Sequence, residues 1–177
     1  MTSAPIAQQR LLIDLQDLDS HLARLRHERK HLPVLTRIEA VIERLKVNKR
    51  AAIRAEAALD EAKKQATRSE DEVGQVVRRA EVLRERLHSG SSAARDLSAI
   101  QGEIDQLGQR QSALEEAQIV AMEALDSARQ EAECLSQEES EIRTAGRELT
   151  AKRDAEFARL DEEIESLENQ RADLAGT

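Results

Sequence analysis

Apolar residues recur along this chain at alternating intervals of three and four residues, the spacing that faces a partner helix in a left-handed coiled coil. The pattern reads nearly the same in both directions from Gly90. Leu83 and Leu97 lie at equal distances on either side of that glycine, as do Val76 and Ile104 farther out. Other core-facing positions of the same mirrored pattern are Ile38, Val41, Leu45, Asn48, Ala132, Ile142 and Gly146, with Asn48 opposite Ala132. A chain that folds back on itself has such a mirror point. The pattern therefore predicts an all-α fold, a long antiparallel coiled-coil helical hairpin with its turn at Gly90.

Helix-breaking and capping residues divide this hairpin, a single predicted domain over residues 1–177, into three helices. From the N-terminus we predict a helix over 4–31, a break over 32–35, a helix over 36–88, a tip at 89–91 and a helix over 92–175. Pro33 interrupts the first arm because proline lacks an amide donor and restricts the residue before it. Thr36 and Glu39 have the spacing of a capping box, which would restart the helix.

The returning arm is also irregular opposite Pro33. Its core-facing positions step by four residues twice, through Leu149, Arg153 and Phe157, which is a stutter in the coiled-coil repeat. We expect a local bend or unwinding where Pro33 faces Gly146–Leu149. The alternative is a proline that is merely tolerated in a loop between two straight helices.

Composition narrows the class of protein. Charged residues make up 35% of the chain, and Phe157 is the one aromatic residue. Cys134 is the one cysteine, so the chain can form no internal disulfide and no cysteine-rich metal site. No apolar run approaches the roughly 20 residues needed to cross a bilayer. We expect a cytoplasmic, soluble protein that does not engage a membrane.

The sequence contains no arrangement typical of an enzyme. His27 and His31 share a helix face and could hold a metal, but no carboxylate or thiol cluster accompanies them. We interpret them as exposed helix histidines. Carboxylates are abundant, yet a two-helix coil offers no enclosed pocket in which to shift their pKa values. We therefore expect no catalytic activity, and no metal or cofactor within this chain.

Charge is distributed unevenly along the arms. Residues 24–54 contain ten basic and three acidic residues, whereas residues 131–177 contain fourteen acidic and six basic residues. One interpretation is that the acidic arm lies beside the basic arm and favours the hairpin. The other is a basic stripe that contacts nucleic-acid phosphates without sequence preference, since aromatic side chains for base stacking are lacking. The residues of this second interpretation are Arg29, Lys30, Arg37, Arg44, Lys46, Lys49, Arg50, Arg54 and Arg153.

Two of these arginines are predicted to face one another. Arg29 and Arg153 occupy opposing core-facing positions at the break, with Lys30 and Lys152 beside them. Like charges in this arrangement either extend outward to solvent or share an anion. We take extension to solvent as the default.

The order of features resembles a bacterial family of coiled-coil hairpin proteins, in its actinobacterial style, whose members carry a C-terminal zinc ribbon with four cysteines. Three stretches carry the resemblance: Gln-Arg-Leu-Leu-Ile-Asp-Leu-Gln-Asp-Leu-Asp at 9–19 leading to His31-Leu32-Pro33, the tip from Ser89 through Ile104, and the run from Arg110 to Glu116. The tip motif together with the placed proline is the specific part.

This resemblance implies a non-enzymatic adaptor. Members are described as nucleic-acid-binding proteins, and some relatives are linked to flagellar or secretion regulation through protein and RNA partners. The ribbon implies zinc, but the sequence stops at Thr177 without it, so we expect either a fragment or a member that lacks the ribbon. No zinc ligand carries over to this chain, and Cys134 is in the wrong place to be one.

Our primary interpretation is a scaffold that presents the hairpin to a protein partner. The expected contact residues lie at the tip and at the break: Ser89, Gly90, Ser91, Arg95, Asp96 and Pro33. The alternative is an RNA- or DNA-binding protein that uses the basic stretch. We expect a monomeric hairpin or a weak homodimer, and pairing between extended chains would satisfy the same mirrored pattern.

Overall fold

The computed structural model describes residues 6–90 and 94–176, and nearly all of them are helical. Helix α1 covers Ile6–Lys30, α2 covers Pro33–His88 and α3 covers Ala94–Ala175. Residues farther along α1 and α2 contact residues nearer the start of α3, so the paired helices are antiparallel. The chain forms an all-α coiled-coil hairpin with a break before Pro33, as the apolar pattern predicts.

The break is shorter than predicted. Helix α2 begins at Pro33, so only His31 and Leu32 separate it from α1, and the predicted break over 32–35 is wrong in extent. Proline suits the first helical position because the amide it lacks has no partner there, and its fixed φ matches the helix. Thr36 therefore lies inside the first turn of α2, and the predicted capping box does not start the helix.

The ends of the broken segment are closed by backbone hydrogen bonds. The His31 amide lies within bonding distance of the carbonyl oxygens of His27 and Glu28, at 3.1 and 3.0 Å, and the Leu35 amide donates to the Leu32 carbonyl at 3.0 Å. Helix α3 continues without interruption through the stretch opposite Pro33. Unwinding is thus confined to the first arm, and α3 remains helical through Gly146.

Gly90 follows the end of α2 and closes the first arm. Its φ is +62°, the left-handed conformation that glycine adopts without the steric cost of a Cβ. The Ser89 amide donates to the Glu85 carbonyl oxygen at 3.0 Å, and the Ser89 hydroxyl donates to the Arg86 carbonyl oxygen at 2.8 Å. These bonds satisfy carbonyl groups that would lack partners at the end of α2.

The chain divides into two compact units, Met1–Val47 with Glu139–Thr177, and Asn48–Glu138. In the first unit, α1 and the start of α2 pack on the last part of α3. Its core consists of Leu25, Leu32 and the fully buried Leu160, with Phe157 packed against them. In the second unit, the rest of α2 packs on the first part of α3.

The second unit shows how the two arms are aligned. Leu83 forms a buried cluster with Ile100 and Ile104, whereas the mirror about Gly90 pairs Leu83 with Leu97. The predicted register is therefore wrong by about one turn of α3. Core side chains of a coiled coil insert between partner residues, so Leu83 packs between Ile100 and Ile104 and not opposite a single residue.

Candidate functional site

Three groups of residues in the structure bear on function: the cations at and after the break, the tip, and a groove in the first unit. The cations were predicted to contact phosphates. Some of them pair with carboxylates, two of these also lie near the Phe157 ring, and others do neither.

Cations before the break bind carboxylates across the helices of the first unit. Arg26 donates to Glu168 at 2.6 Å, and the Arg29 guanidinium donates two hydrogen bonds to Asp161 at 2.6 and 3.0 Å. These bonds hold the pKa of the Asp161 carboxyl below its usual range, because the carboxylate is the better acceptor. For Arg26 and Arg29, the interpretation of charge pairing between arms agrees with the geometry.

Phe157 lies between the two arginines that were predicted to face each other. The Arg29 guanidinium carbon is 4.3 Å from the ring centroid, and that of Arg153 is 6.0 Å away. Arg153 also donates to its neighbour Asp154 at 2.9 and 2.7 Å. Each arginine thus has its own carboxylate as well as the ring face, and the geometry does not favour an anion shared between them.

The cations after the break differ from those before it. Lys46 binds Glu43 on its own helix at 2.6 Å, and Arg44 is exposed. Lys49, Arg50 and Arg54 are also exposed, and none of them forms an ion pair within the described part of the chain. Lys30 and Arg37 are exposed near the break and likewise form no ion pair among the described residues. The hairpin therefore does not use all of its basic residues for pairing between the arms.

The unit boundary at Val47 and Asn48 divides these cations. Residues of the basic stretch up to Lys46 belong to the first unit, and Lys49, Arg50 and Arg54 belong to the second. The predicted basic stretch therefore consists of two sets of cations, one in each unit.

At the tip, Ser89 and Gly90 end α2 as described above, and Ser91 lies outside the described residues. Arg95 and Asp96 are exposed in the first turn of α3. A carboxylate there interacts favourably with the positive end of the helix dipole. Asp96 thus has a local structural role, and both side chains remain accessible.

Among the described residues, no group of three or more histidine, cysteine, aspartate or glutamate side chains is positioned to hold a metal ion. The His27 and His31 rings stack with centroids 4.1 Å apart, and His31 Nδ1 lies 2.8 Å from the His27 carbonyl oxygen, where it donates. Cys134 is exposed. With one cysteine in the sequence, the residues of this chain do not fit a zinc site of four cysteines.

Within residues 6–90 and 94–176, helices long and apolar enough to cross a membrane are absent.

An open groove lies in the first unit, between the start of α2 and the last part of α3. On α2 its apolar wall consists of Ile38, Val41, Ile42 and Leu45. On α3 it is lined by Ile142, Arg143, Gly146, Arg147, Thr150, Ala151, Arg153 and Asp154. Ile42 is 46% exposed there. We call this surface the α2–α3 groove.

A smaller groove lies at the break in the same unit. Pro33 is exposed in it beside Leu32, Val34 and Arg37, and α3 contributes Leu149, Lys152, Ala155 and Glu156. The break predicted as a contact region thus presents apolar side chains to solvent.

The sequence interpretation missed the α2–α3 groove. Ile38, Val41 and Leu45 were assigned to the core, but Ile42 widens their apolar stripe beyond the narrow face that a two-helix coil requires. Gly146, at a core-facing position, was a second signal because it leaves the opposing side without a side chain. Both signals were present in the sequence.

Comparisons with known proteins agree with this architecture. Two uncharacterized proteins from two strains of Mycobacterium tuberculosis are each 34% identical over 190 residues, an alignment that covers 96% of this chain and 77% of each relative. A solved structure from Mycobacterium smegmatis, 26% identical, has a TM-score of 0.80 and is matched over 99% of this chain and 72% of its own. The model of a CT398-like coiled coil hairpin domain matches residues 15–177. The chain therefore belongs to the CT398-like coiled-coil hairpin family.

Proposed function

We propose that this chain is a non-enzymatic scaffold that binds a protein partner, with the grooves of its first unit as the main contact surface and the tip as the other candidate. The observation that carries the proposal is the apolar lining of the α2–α3 groove, in which Ile42 remains 46% exposed. Contiguous exposed apolar surface rimmed by polar residues is typical of protein-binding sites. The adjoining groove at Pro33 extends this surface toward the break.

The electrostatics support a role without catalysis. The carboxyl pKa values of Asp19 and Asp161 are lowered, chiefly because Arg171 and Arg29 donate hydrogen bonds to them. A lowered pKa makes a carboxylate a weaker general base. Both groups lie in exposed ion pairs between helices, where they add to the pairing of the arms.

The experiment is affinity capture with the immobilised chain, followed by identification and purification of the captured protein. We expect Ile42→Ser to reduce capture of that protein. Ile53→Ser, the same change at a 67% exposed position of α2 outside the groove, is the matched control and should leave capture intact. A third variant replaces the exposed Arg95 and Asp96 of the tip with serine. Capture that survives alteration of both the tip and the groove would contradict the proposal.

A second candidate function is binding to RNA or DNA. The observation in its favour is that the exposed side chains of Lys49, Arg50 and Arg54 form no ion pair among the described residues. Such cations can neutralise phosphates, and an affinity based on them falls steeply with salt. Phe157, the one aromatic residue, is packed in the first unit, so contacts would be directed at the nucleic-acid backbone.

Titration of fluorescent RNA and DNA across about 50 to 200 mM salt tests this candidate. Lys49, Arg50 and Arg54 are replaced together by glutamate. The control makes the same charge change at the exposed Arg84, Arg86 and Arg110. Loss of a salt-sensitive affinity in the first variant alone supports binding through α2. Equal loss of affinity in both variants would show that binding depends on the net charge of the chain, and it would contradict a defined binding site.

A further inference from the structure

The α2–α3 groove has a shape that can accommodate a third helix. Its wall on α2 consists of Ile38, Val41, Ile42 and Leu45, which are spaced i, i+3, i+4 and i+7. Seven helical residues span roughly 10 Å along the axis. The opposite wall is the stretch of α3 that lies alongside these residues and contains the buried Ile142. The apolar surface thus runs along the two helices over about two turns.

Gly146 deepens the groove at its centre. A Cβ at this position would lie 3.4 Å from Val41 Cγ1, which is ordinary van der Waals contact. The helices therefore do not require glycine in order to approach each other here. Because Gly146 has no side chain, the wall of α3 is lower at this point, and Val41 lines the groove beside it.

Among the described residues, the rim of the groove carries one positive charge without a carboxylate partner. Three arginines of α3 line it, and two of them have carboxylate partners: Arg143 binds Glu139 at 2.6 Å, and Arg153 binds Asp154 at 2.7 Å. Arg147 instead donates to the Thr144 hydroxyl at 3.0 Å and forms no ion pair within the described parts of the chain. The charge on Arg147 is therefore not balanced by a neighbouring carboxylate.

We propose that the α2–α3 groove binds an amphipathic α-helix of a partner protein, with apolar residues at i, i+3, i+4 and i+7 and acidic residues on the flank beside Arg147. This inference rests on the proposed scaffold function and specifies the partner. An apolar groove between helices offers no backbone groups for an extended peptide, whereas a helix satisfies its own backbone hydrogen bonds.

The test uses three designed helical peptides and fluorescence anisotropy with the full chain. The first peptide carries leucines at the four apolar positions and glutamates on its flanks. The second replaces the glutamates with lysines, and the third replaces the leucines with serines. We expect saturable binding of the first peptide, with affinities at least tenfold lower for the other two.

Chain variants locate the site. Ile42→Ser should weaken binding of the acidic peptide at least tenfold, and Ile53→Ser should leave it unchanged. Arg147→Glu should weaken binding of the acidic peptide severalfold. It should also reduce the ratio of the affinity for the acidic peptide to that for the basic peptide. Arg110→Glu, an equal charge change at an exposed position of α3 in the second unit, should change neither value. Circular dichroism verifies that each variant keeps its helical content.

Absence of saturable binding by the acidic peptide would overturn the inference, as would equal loss in Ile42→Ser and Ile53→Ser. Self-association of the chain that Ile42→Ser abolishes would also overturn it, because the occupant would then be a second copy. The scaffold function fails separately. A captured protein that depends on the tip residues and not on Ile42 would leave the scaffold in place while removing this groove as its site.

Discussion

Asn48 donates a hydrogen bond from its side-chain amide to the backbone carbonyl oxygen of Leu135, 3.2 Å away, and a second one to the Glu138 carboxylate at the same distance. Asn48 is only 4% exposed, and its Oδ1 atom has no hydrogen-bond partner within the described part of the chain. A buried asparagine at a core position of a coiled coil fixes the alignment of the helices at a cost in stability. This pair is therefore a specific register contact in the second unit.

Replacement of Asn48 by leucine should make the protein more stable and less uniquely aligned. The change removes a buried acceptor without a partner and adds apolar burial, so we expect a gain of about 1–2 kcal/mol in the free energy of unfolding. Spin labels on the exposed Cys134 and on Lys49→Cys report the alignment. Their distance distribution should broaden in Asn48→Leu.

Asn48→Asp is the contrasting variant. It places a second carboxylate beside Glu138 in a nearly buried position, and we expect it to destabilise the second unit. A narrow distance distribution in Asn48→Leu, together with unchanged stability, would show that the asparagine does not set the register.

The same residue shows what the sequence could and could not predict. Periodicity identified Asn48 as core-facing, but symmetry about Gly90 paired it with Ala132 and not with Leu135. The coiled-coil repeat explains this error. A displacement of one layer, three or four residues, again sets apolar positions opposite apolar positions. Only the length of the connection and specific contacts such as that of Asn48 decide between these alignments.

The candidate site was predictable in part. Proline and glycine identified the break and the turn because each residue has a backbone preference that acts locally. Which cations form ion pairs was not predictable, because Arg29 and Lys49 belong to the same basic stretch and only their contacts in the structure distinguish them. Whether a carboxylate of α3 lies opposite each of them depends on register. The α2–α3 groove likewise requires the pairing of Val41 with Gly146, which sequence symmetry placed elsewhere.

Leu160 should be the costliest core residue to truncate in the first unit. It is 0% exposed and packs with Leu25 and Leu32. Leu160→Ala should lower the free energy of unfolding by about 2–5 kcal/mol, the range for a buried leucine whose cavity does not collapse. Urea denaturation measures the change. The control Leu12→Ala, at a 62% exposed position of α1, should lie within about 0.5 kcal/mol of the parent.

The contact of Arg29 with Phe157 should contribute measurably to stability. Phe157→Leu keeps an apolar side chain but removes the ring face that lies 4.3 Å from the guanidinium carbon. A cation–π contact at a partly exposed site contributes about 0.5–1 kcal/mol. A double-mutant cycle with Arg29→Gln isolates this coupling. A coupling energy indistinguishable from zero would mean that the ring acts through apolar packing alone.

The ion pair of Arg29 and Asp161 predicts a dependence of stability on pH. Because the pKa of Asp161 is lowered in the folded protein, the pair favours folding above the ordinary aspartate pKa of about 3.9, and its contribution is lost as pH falls through the lowered value. Carboxyl NMR titration should show the Asp161 pKa rising toward its ordinary value in Arg29→Gln. A pKa that does not move in this variant would assign the shift to another cause. The pair is exposed, so added salt should weaken its effect.

Two glycines should respond to alanine in opposite directions. Gly90 has φ +62°, and an alanine in this conformation costs about 1–2 kcal/mol. Gly102 lies within α3 with open space where a Cβ would be, so Gly102→Ala should stabilise the protein by about 0.5–1 kcal/mol through helix propensity. Thermal unfolding of the two variants measures both effects against the parent.

Gly90→Asn is the control for backbone conformation, because asparagine tolerates the left-handed region better than alanine does. Its cost should therefore be smaller than that of Gly90→Ala. Equal costs for alanine and asparagine would show that side-chain crowding at the turn, and not backbone strain, determines the requirement for glycine.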